Sequence, residues 1–592
     1  METKINLVNN KILNWITDLP LCIKHAGNTW HEDTLLQSHD STIAGITVSG
    51  ILKKFEKPSL TGEEARREAA IQAYLSDNLR LSKSKVNTFS DEAVERFELA
   101  RKLIKKWVAT DSLRDDDAWF GKGECFDSHQ GRTSPLAKLN KLPFTVTCGA
   151  ATDGVMLLWR NRQLKRWLVN WARTKGSPID RSPKGQAEFY AALMRDQLIS
   201  VVPGNRGETV PKNNKTDRFI GVEPKLNMLL QKTVGGLLRR SLKRAGVDLL
   251  RGQLDHQLMI RSQDIATIDL KGASNSNHLD LVQLLLPGWL YEKILSYRSS
   301  STYVKVKGVG SFHVELNMVA SMGNGFTFEL MSIMLLALAR TFDPRASVYG
   351  DDIVISKEKS LEFAAFLSEY TDYVVNEEKS FFDGVIRESC GAYFVLDREI
   401  TRYDVKWCTS FVDCITTVNK LQRISAFLME LNMPMCTDVA HSLRKLALAC
   451  RAVMRGPFYF EGKRGVPAKV SLTDAGLKYH EIPNRETTLS LFVETDEPER
   501  TCLPKAIRKR LREWQEKHQN YSNYVVKVPT FGVNSSRRHH RTVTQCRSGD
   551  PRAFTVLLKT HQLPDLLKKG EGTWQWQYAI CDDYGVVDFL GS

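Results

Sequence analysis

The stretch Ala346-Ser347-Val348-Tyr349-Gly350-Asp351-Asp352-Ile353-Val354-Ile355-Ser356 decides the fold. Two short β-rich runs flank a Gly-Asp bend, which is the pattern of a hairpin. The bend puts two adjacent carboxylates at the tip of an otherwise apolar ribbon. Neighbouring acids repel unless a cation sits between them, and a hard divalent ion such as Mg²⁺ prefers carboxylate oxygen. The bland alternative is that Gly-Asp is a common turn; the apolar strands on either side count against it.

Working outward, a third acid, Asp269, ends the alternating run DIATIDL (264–270), a short strand. A strand ending in an acid, followed after a helix by a double-acid hairpin, can gather Asp269, Asp351 and Asp352. Such a cluster suits two metal ions, one lowering the pKa of an attacking 3′-hydroxyl and the other neutralising a leaving pyrophosphate. A triphosphate also needs cations, and Lys212, Lys215 and Arg218 lie close together in VPKNNKTDRFIG. Alternation puts Lys212 and Arg218 on one face of a ribbon and Lys215 on the other, so their convergence needs a twist or turn. The loop Ser321-Met322-Gly323-Asn324-Gly325 precedes an apolar helix over 326–342. Its glycines permit close backbone approach. Asn324 and Asn275, the latter just past Asp269, each carry an amide that could meet a ribose hydroxyl; each is otherwise an ordinary turn or cap residue.

The rest of the chain supplies context. It has 592 residues, with Lys+Arg 83 against Asp+Glu 68, a formal charge of +15. That balance favours a polyanionic partner, most simply nucleic acid. No apolar run approaches the roughly 18–20 residues that span a bilayer, so no membrane role is expected. The N-terminus lacks the pattern of a secretory signal. The cysteines number 11, an odd count without a CxxC pair, which fits a reducing cytoplasm. Residues 1–145 read as mostly helical, with Ser90 a candidate N-cap. Residues 156–172 form a helical Arg/Trp stripe, either an amphipathic surface helix or an RNA-facing one. Residues 203–221 read as a loop or β-ribbon, 276–298 as helical, and 302–319 as a hairpin; helix returns from 415. The basic run Arg537-Arg538-His539-His540-Arg541 is a solvated loop or an RNA contact.

Five segments in order, VPKNNKTDRFIGVEP (210–224), IDLKGASNS (268–276), SMGNGFTFEL (321–330), VYGDDIVI (348–355) and RESCG (387–391), resemble the replicase catalytic subunits of the single-stranded RNA bacteriophages, the leviviruses. The match runs over about 200–410. The resemblance implies an α+β fold, a right-hand polymerase of palm, fingers and thumb with an antiparallel palm sheet and helical N- and C-terminal regions. It implies 1–200 as N-terminal helical region and fingers, 201–263 as the finger loop with the basic NTP-binding segment, 264–414 as the palm and 415–592 as thumb and C-terminal region. It implies RNA-templated RNA synthesis from NTPs, with Asp269, Asp351 and Asp352 holding two Mg²⁺ or Mn²⁺ ions. Lys212, Lys215 and Arg218 resemble the triphosphate-binding finger. Gly323, Asn324 and Asn275 are the candidates for contact with the nucleotide; where the broader viral-polymerase pattern has an Asn later in the helix after the glycine loop this chain has Met331, so Asn324 would serve instead. Lys379 in NEEKSFF stands where related polymerases place a basic residue near the leaving pyrophosphate. Partners implied are template and product RNA, the host elongation factors Tu and Ts and a ribosomal protein, in the cytoplasm of an infected bacterium. One departure stands out: where the family reads ASDS, this chain reads Ala273-Ser274-Asn275-Ser276. Two other readings remain open from the residues, a different palm polymerase such as a reverse transcriptase and a non-enzymatic RNA-binding regulator.

Overall fold

In the computed structural model most of residues 2–454 are described, apart chiefly from 25–38, 56–59, 84–89, 128–134, most of 175–197, 213–215 and 401–404; beyond 454 few residues are. Lys215 and the basic run 537–541 therefore lie outside the described residues. The chain divides into two units, one of 29–39 with 57–402 and the other of 1–28, 40–56 and 403–592. Helices and small, mainly antiparallel sheets alternate, an α+β arrangement.

The larger unit is built around the apolar helix Thr327–Arg340, in which every residue from Leu330 to Ala339 is buried. A helix apolar on all sides has to be enclosed by other elements. One of them is Asp91–Val108, whose Ser90 hydroxyl accepts from the Ala93 N–H as the sequence predicts. Asp91 and Glu92 open that helix and Lys105 and Lys106 close it, matching the helix dipole. Its buried face, Ala93, Phe97, Ala100, Ile104 and Trp107, follows the helical period and joins the same core.

Three sequence expectations are refined. The stretch 156–172 is two helices, Ala151–Arg160 and Arg162–Thr174, because the Asn161 side chain accepts from the N–H groups of Gln163 and Leu164 and starts a new helix. Trp159 is buried, and Trp167 and Trp171 pack against the core, so the indoles of that stripe serve packing. The stretch 276–298 is also two helices, Leu279–Leu285 and Gly288–Tyr297, parted at Pro287. Beyond 411 two helices, Phe411–Leu431 and Pro434–Met454, carry the expected return of helix, and the described residues that follow include strands.

The described residues of 203–221 form a β-ribbon. Strands Asn205–Pro211 and Asp217–Val222 pair antiparallel with Val210 opposite Arg218. They share a four-stranded sheet with the hairpin Ser301–Val306 and Gly310–Glu315. A separate three-stranded antiparallel sheet is ordered Ile265–Ile268, Asp352–Ser356, Ser347–Tyr349, which places the acidic hairpin beside the strand that leads into Asp269.

In the smaller unit the N-terminal residues meet the segment 405–454. Asn9 and Cys408 exchange two hydrogen bonds of 2.9 Å, and the Trp15 indole N–H donates to Ser442. The Asp40 carboxylate accepts from the N–H groups of Met435 and Cys436 at the start of helix Pro434–Met454, where the helix dipole favours an anion. Among the described residues no helix is long and apolar enough to cross a membrane.

Candidate active site

Sheet register assembles the acids. Ile353 pairs with Ile268, so one step further along each strand Asp352 and Asp269 stand side by side. Tyr349 pairs with Asp352, leaving Gly350 and Asp351 as a two-residue turn. Gly350 has φ +68° and Asp351 does not share that sign, the pattern of a type II′ hairpin turn. A Cβ on Gly350 would stand 2.5 Å from the Phe328 ring. Gly350→Ala is therefore expected to cost about 2 kcal/mol or more, from the left-handed backbone and the clash together. A urea midpoint unchanged from wild type would contradict this.

The opposite edge of the Asp269 strand brings in a second group. Thr267 and Phe381 exchange backbone hydrogen bonds of 3.0 and 2.7 Å, which lays the segment 376–381 alongside. Asn376 Nδ2 then donates to Asp269 Oδ2 at 2.6 Å, and Lys379 Nζ lies 3.4 Å from the same oxygen. The Ser380 hydroxyl accepts from the Asp269 N–H. Behind the strand, the fully buried Arg387 guanidinium donates to the carbonyls of Ile265, Gly384, Ile386 and Gln263 and pins the strand Ile386–Ser389 in place. That strand carries Glu388 and leads to Cys390, which works against the upward shift of the Asp352 pKa.

The electrostatics follow. Burial, then the Asp269 charge, raises the pKa of Asp351. Burial and Asp351 push Asp352 up to about 7, and burial and Asp352 push Glu388 up to about 8. Lys212 is shifted down by desolvation and by its cationic neighbours Arg218 and Lys379, while Asp269 and Asp351 oppose the shift. The ribbon cations Lys212 and Arg218 thus share the field of the acids with Lys379. Of the residues singled out in the sequence, the structure brings together Asp269, Asp351, Asp352, Lys379, Lys212 and Arg218.

The remaining candidates sit close by in sequence but make their own contacts. Gly323 has φ +109°, and a Cβ there would meet the Gly221 carbonyl at 2.5 Å, so it docks the glycine loop on the ribbon. The Gly221 N–H donates to Met322 O across the same contact. Asn324 Oδ1 accepts from the Phe326 N–H at the start of the apolar helix. Asn275 Nδ2 donates to Asp77.

Sequence reasoning missed Asn376, Glu388 and Glu223. Glu388 stands inside the RESCG segment, where its alternation with the buried Arg387 was the available signal. Glu223 follows the basic ribbon. It is fully buried, accepting from Asn205, Gln231 and Ser299 at 2.7–2.9 Å. Gln231 Oε1 in turn accepts from the Gly325 N–H. One buried carboxylate therefore ties the ribbon to the glycine loop.

A pH dependence follows from these shifts. In chain stripped of divalent metal, Asp352 and Glu388 hold their protons more tightly folded than unfolded. Their contribution to stability is full below the ordinary carboxylate range and is lost as pH rises through about 7 and 8. His256, lowered to about 4 by burial, acts in the opposite sense, its contribution fading as pH falls from about 6.5 towards 4. Between pH 6.5 and 8 the two carboxylates act without opposition from His256. Stability in chelator should fall there by on the order of 1 kcal/mol per pH unit, and Mg²⁺ should flatten the slope. Urea midpoints at pH 6.5 and 8 check this; a flat profile in chelator would contradict it.

A sequence model of the family described as "RNA replicase, beta-chain" matches residues 37–456. The chain is 35% identical over 238 residues to the RNA-directed RNA polymerase subunit beta of Qbeta virus (strain MX1), covering 38% of this chain and 40% of that protein. It is 38% identical over 215 residues to the RNA-directed RNA polymerase beta chain of Enterobacteria phage fr, covering 35% of this chain and 38% of that protein. The matched stretch thus spans about two fifths of the length of these curated relatives. A solved structure, the BmCPV RNA-dependent RNA polymerase at elongation state, is similar at a TM-score of 0.35 and 11% identity over 62% of this chain and 33% of that one. So distant a likeness adds nothing to the geometry above.

Proposed function

The chain belongs to the RNA replicase beta-chain family, and from that premise we propose that it is an RNA-directed RNA polymerase that copies a single-stranded RNA phage genome from NTPs. The observation that carries the reading is the register pairing that sets Asp269 beside Asp352, with Asp351 at the adjoining turn. Three crowded carboxylates facing Lys212, Arg218 and Lys379 suit a triphosphate with divalent metal between.

Among the described residues no three acid, His or Cys side chains already stand as a chelating set. The donors nevertheless fit a hard cation, because the raised pKa values of Asp351 and Asp352 mark negative charge that the protein's own cations leave incompletely compensated. Asp269, Asp351 and Asp352 would hold two Mg²⁺ or Mn²⁺ ions. When bound, the metal would activate the 3′-hydroxyl and offset charge on the leaving pyrophosphate. The protein's own residues do the rest. Lys212 and Arg218 hold the triphosphate, and Lys215, between them in sequence, is a third cation for it. Asn376 fixes one oxygen of Asp269 and so orients the carboxylate. Lys379 stands ready to give a proton to the pyrophosphate. Gly323 and Asn324 set the backbone of the loop that lines the nucleotide, and Asn275 meets the ribose.

In this reading 264–414 is the palm, 201–263 the finger loop, 1–200 the N-terminal region and fingers, and 415–592 the thumb and C-terminal region. The assembly includes elongation factors Tu and Ts and a ribosomal protein in the cytoplasm of the infected host, by resemblance to the family. Labelled NTP incorporation on single-stranded RNA tests the function. Synthesis that needs Mg²⁺ or Mn²⁺ and stops in chelator supports it. RNA binding without incorporation, with or without Tu and Ts, would instead favour the non-enzymatic RNA-binding protein.

A further inference from the structure

We propose that Asp77 is a positioning residue that orients the Asn275 amide to read the ribose 2′-hydroxyl of the incoming nucleotide. The proposal rests on the polymerase reading. It starts from a contact that local sequence conceals. Asn275 lies in the short 3₁₀ turn Ala273–Ser276, just past Asp269. Its Nδ2 donates to Asp77 Oδ2 at 2.9 Å, although the two residues are 198 apart in sequence.

Asp77 sits near the end of helix Leu60–Arg80. Arg80, one turn on, donates to the Ser276 hydroxyl at 3.0 Å and to the Asp372 carbonyl at 2.8 Å. The same helix is anchored by Tyr74, whose hydroxyl is 2.6 Å from that of Ser321, and by Asn78, which bonds to the Glu315 carbonyl and the Asn317 N–H. Asp77 and Arg80 therefore grip two successive side chains of the turn from a fixed platform. The fit is close, for a Cβ on Gly272, which has φ +58°, would stand 3.3 Å from Asp77 Oδ2.

The chemistry of the pair has one sense. An ionised carboxylate only accepts, so the NH₂ end of the Asn275 amide must face it. The amide oxygen is then turned the other way. Among the described residues the Asn275 side chain makes no hydrogen bond besides the one to Asp77. A 2′-hydroxyl can donate to that oxygen. A deoxyribonucleotide cannot, and leaves the acceptor unpaired, which is how a built polar site rejects an analogue. Without Asp77 the amide is free to turn over, and its NH₂ end is then as available to the substrate as its oxygen.

The test compares kcat/KM for an NTP with that for the matching 2′-deoxy-NTP in the full chain, under conditions where wild type synthesises RNA. Asp77→Ala should lower the NTP preference by about tenfold or more, the worth of one oriented hydrogen bond. Asn275→Asp alone should impair use of NTPs, because it sets two carboxylates against each other. The pair Asp77→Asn with Asn275→Asp should recover NTP use and preference to within about threefold of wild type, since the amide is then donated from position 77 to the acid at position 275 and an oxygen still faces the ribose. That rescue distinguishes positioning from damage to the fold. An unmoved preference in Asp77→Ala, or a double variant no better than Asn275→Asp, overturns the proposal alone. No synthesis by wild type overturns the polymerase reading and this proposal with it.

Discussion

Asp351→Ala is expected to abolish RNA synthesis, a loss of at least about a thousandfold, while the chain stays folded. The asymmetry has a physical cause. Burial and Asp269 make ionised Asp351 costly in the folded chain, so its removal relieves repulsion and takes little from the packed core. In chelator the variant should unfold at a urea concentration no lower than that of wild type. The stabilisation that Mg²⁺ gives wild type should shrink, because the variant has lost a ligand. Synthesis near the wild-type rate would remove Asp351 from the metal site. A large drop in the urea midpoint would show that the carboxylate is structural.

Glu223→Ala should have the opposite profile, with stability lost first. The change leaves the Asn205 amide, the Gln231 amide and the Ser299 hydroxyl without their common acceptor inside the protein. Each buried orphan costs about 1–3 kcal/mol and some will find new partners, so a total of about 3–5 kcal/mol is expected. Gln231 also holds the Gly325 N–H, so the glycine loop loses its tether to the ribbon that carries Lys212 and Arg218. Glu223→Gln keeps one acceptor oxygen and should fall between wild type and the alanine variant. A Glu223→Ala urea midpoint within the error of wild type would show that the network contributes nothing.

The acids were legible in the sequence because strand register is a local property. Once 346–356 is a hairpin and 264–270 a strand, apolar alternation leaves few pairings, and the one adopted sets Asp269 beside Asp352. The Ser90 cap and the buried helix 327–340 were legible for the same reason, since caps and helical periods are written within a few residues. What sequence did not carry is contact over long separations. Asp77 meets Asn275, Asn9 meets Cys408, and Glu223 collects partners from three separate segments of the chain. A Glu behind a basic ribbon looks like any solvated acid until its burial is seen. The Arg/Trp stripe failed differently. Arg and Trp at helical spacing fit a nucleic-acid surface and an ordinary amphipathic helix equally well, and the Asn161 break together with the inward indoles decides for packing.

Templated synthesis of RNA is decided by whether the product is complementary to its template. Purified chain with Mg²⁺, with and without elongation factors Tu and Ts, would be given two single-stranded RNA templates of contrasting base composition and one labelled NTP at a time. The expected result is RNase-sensitive product in which the nucleotide incorporated changes with the template according to base pairing. Incorporation that ignores the template, or none at all from folded chain that binds RNA in the presence of both factors, would contradict it.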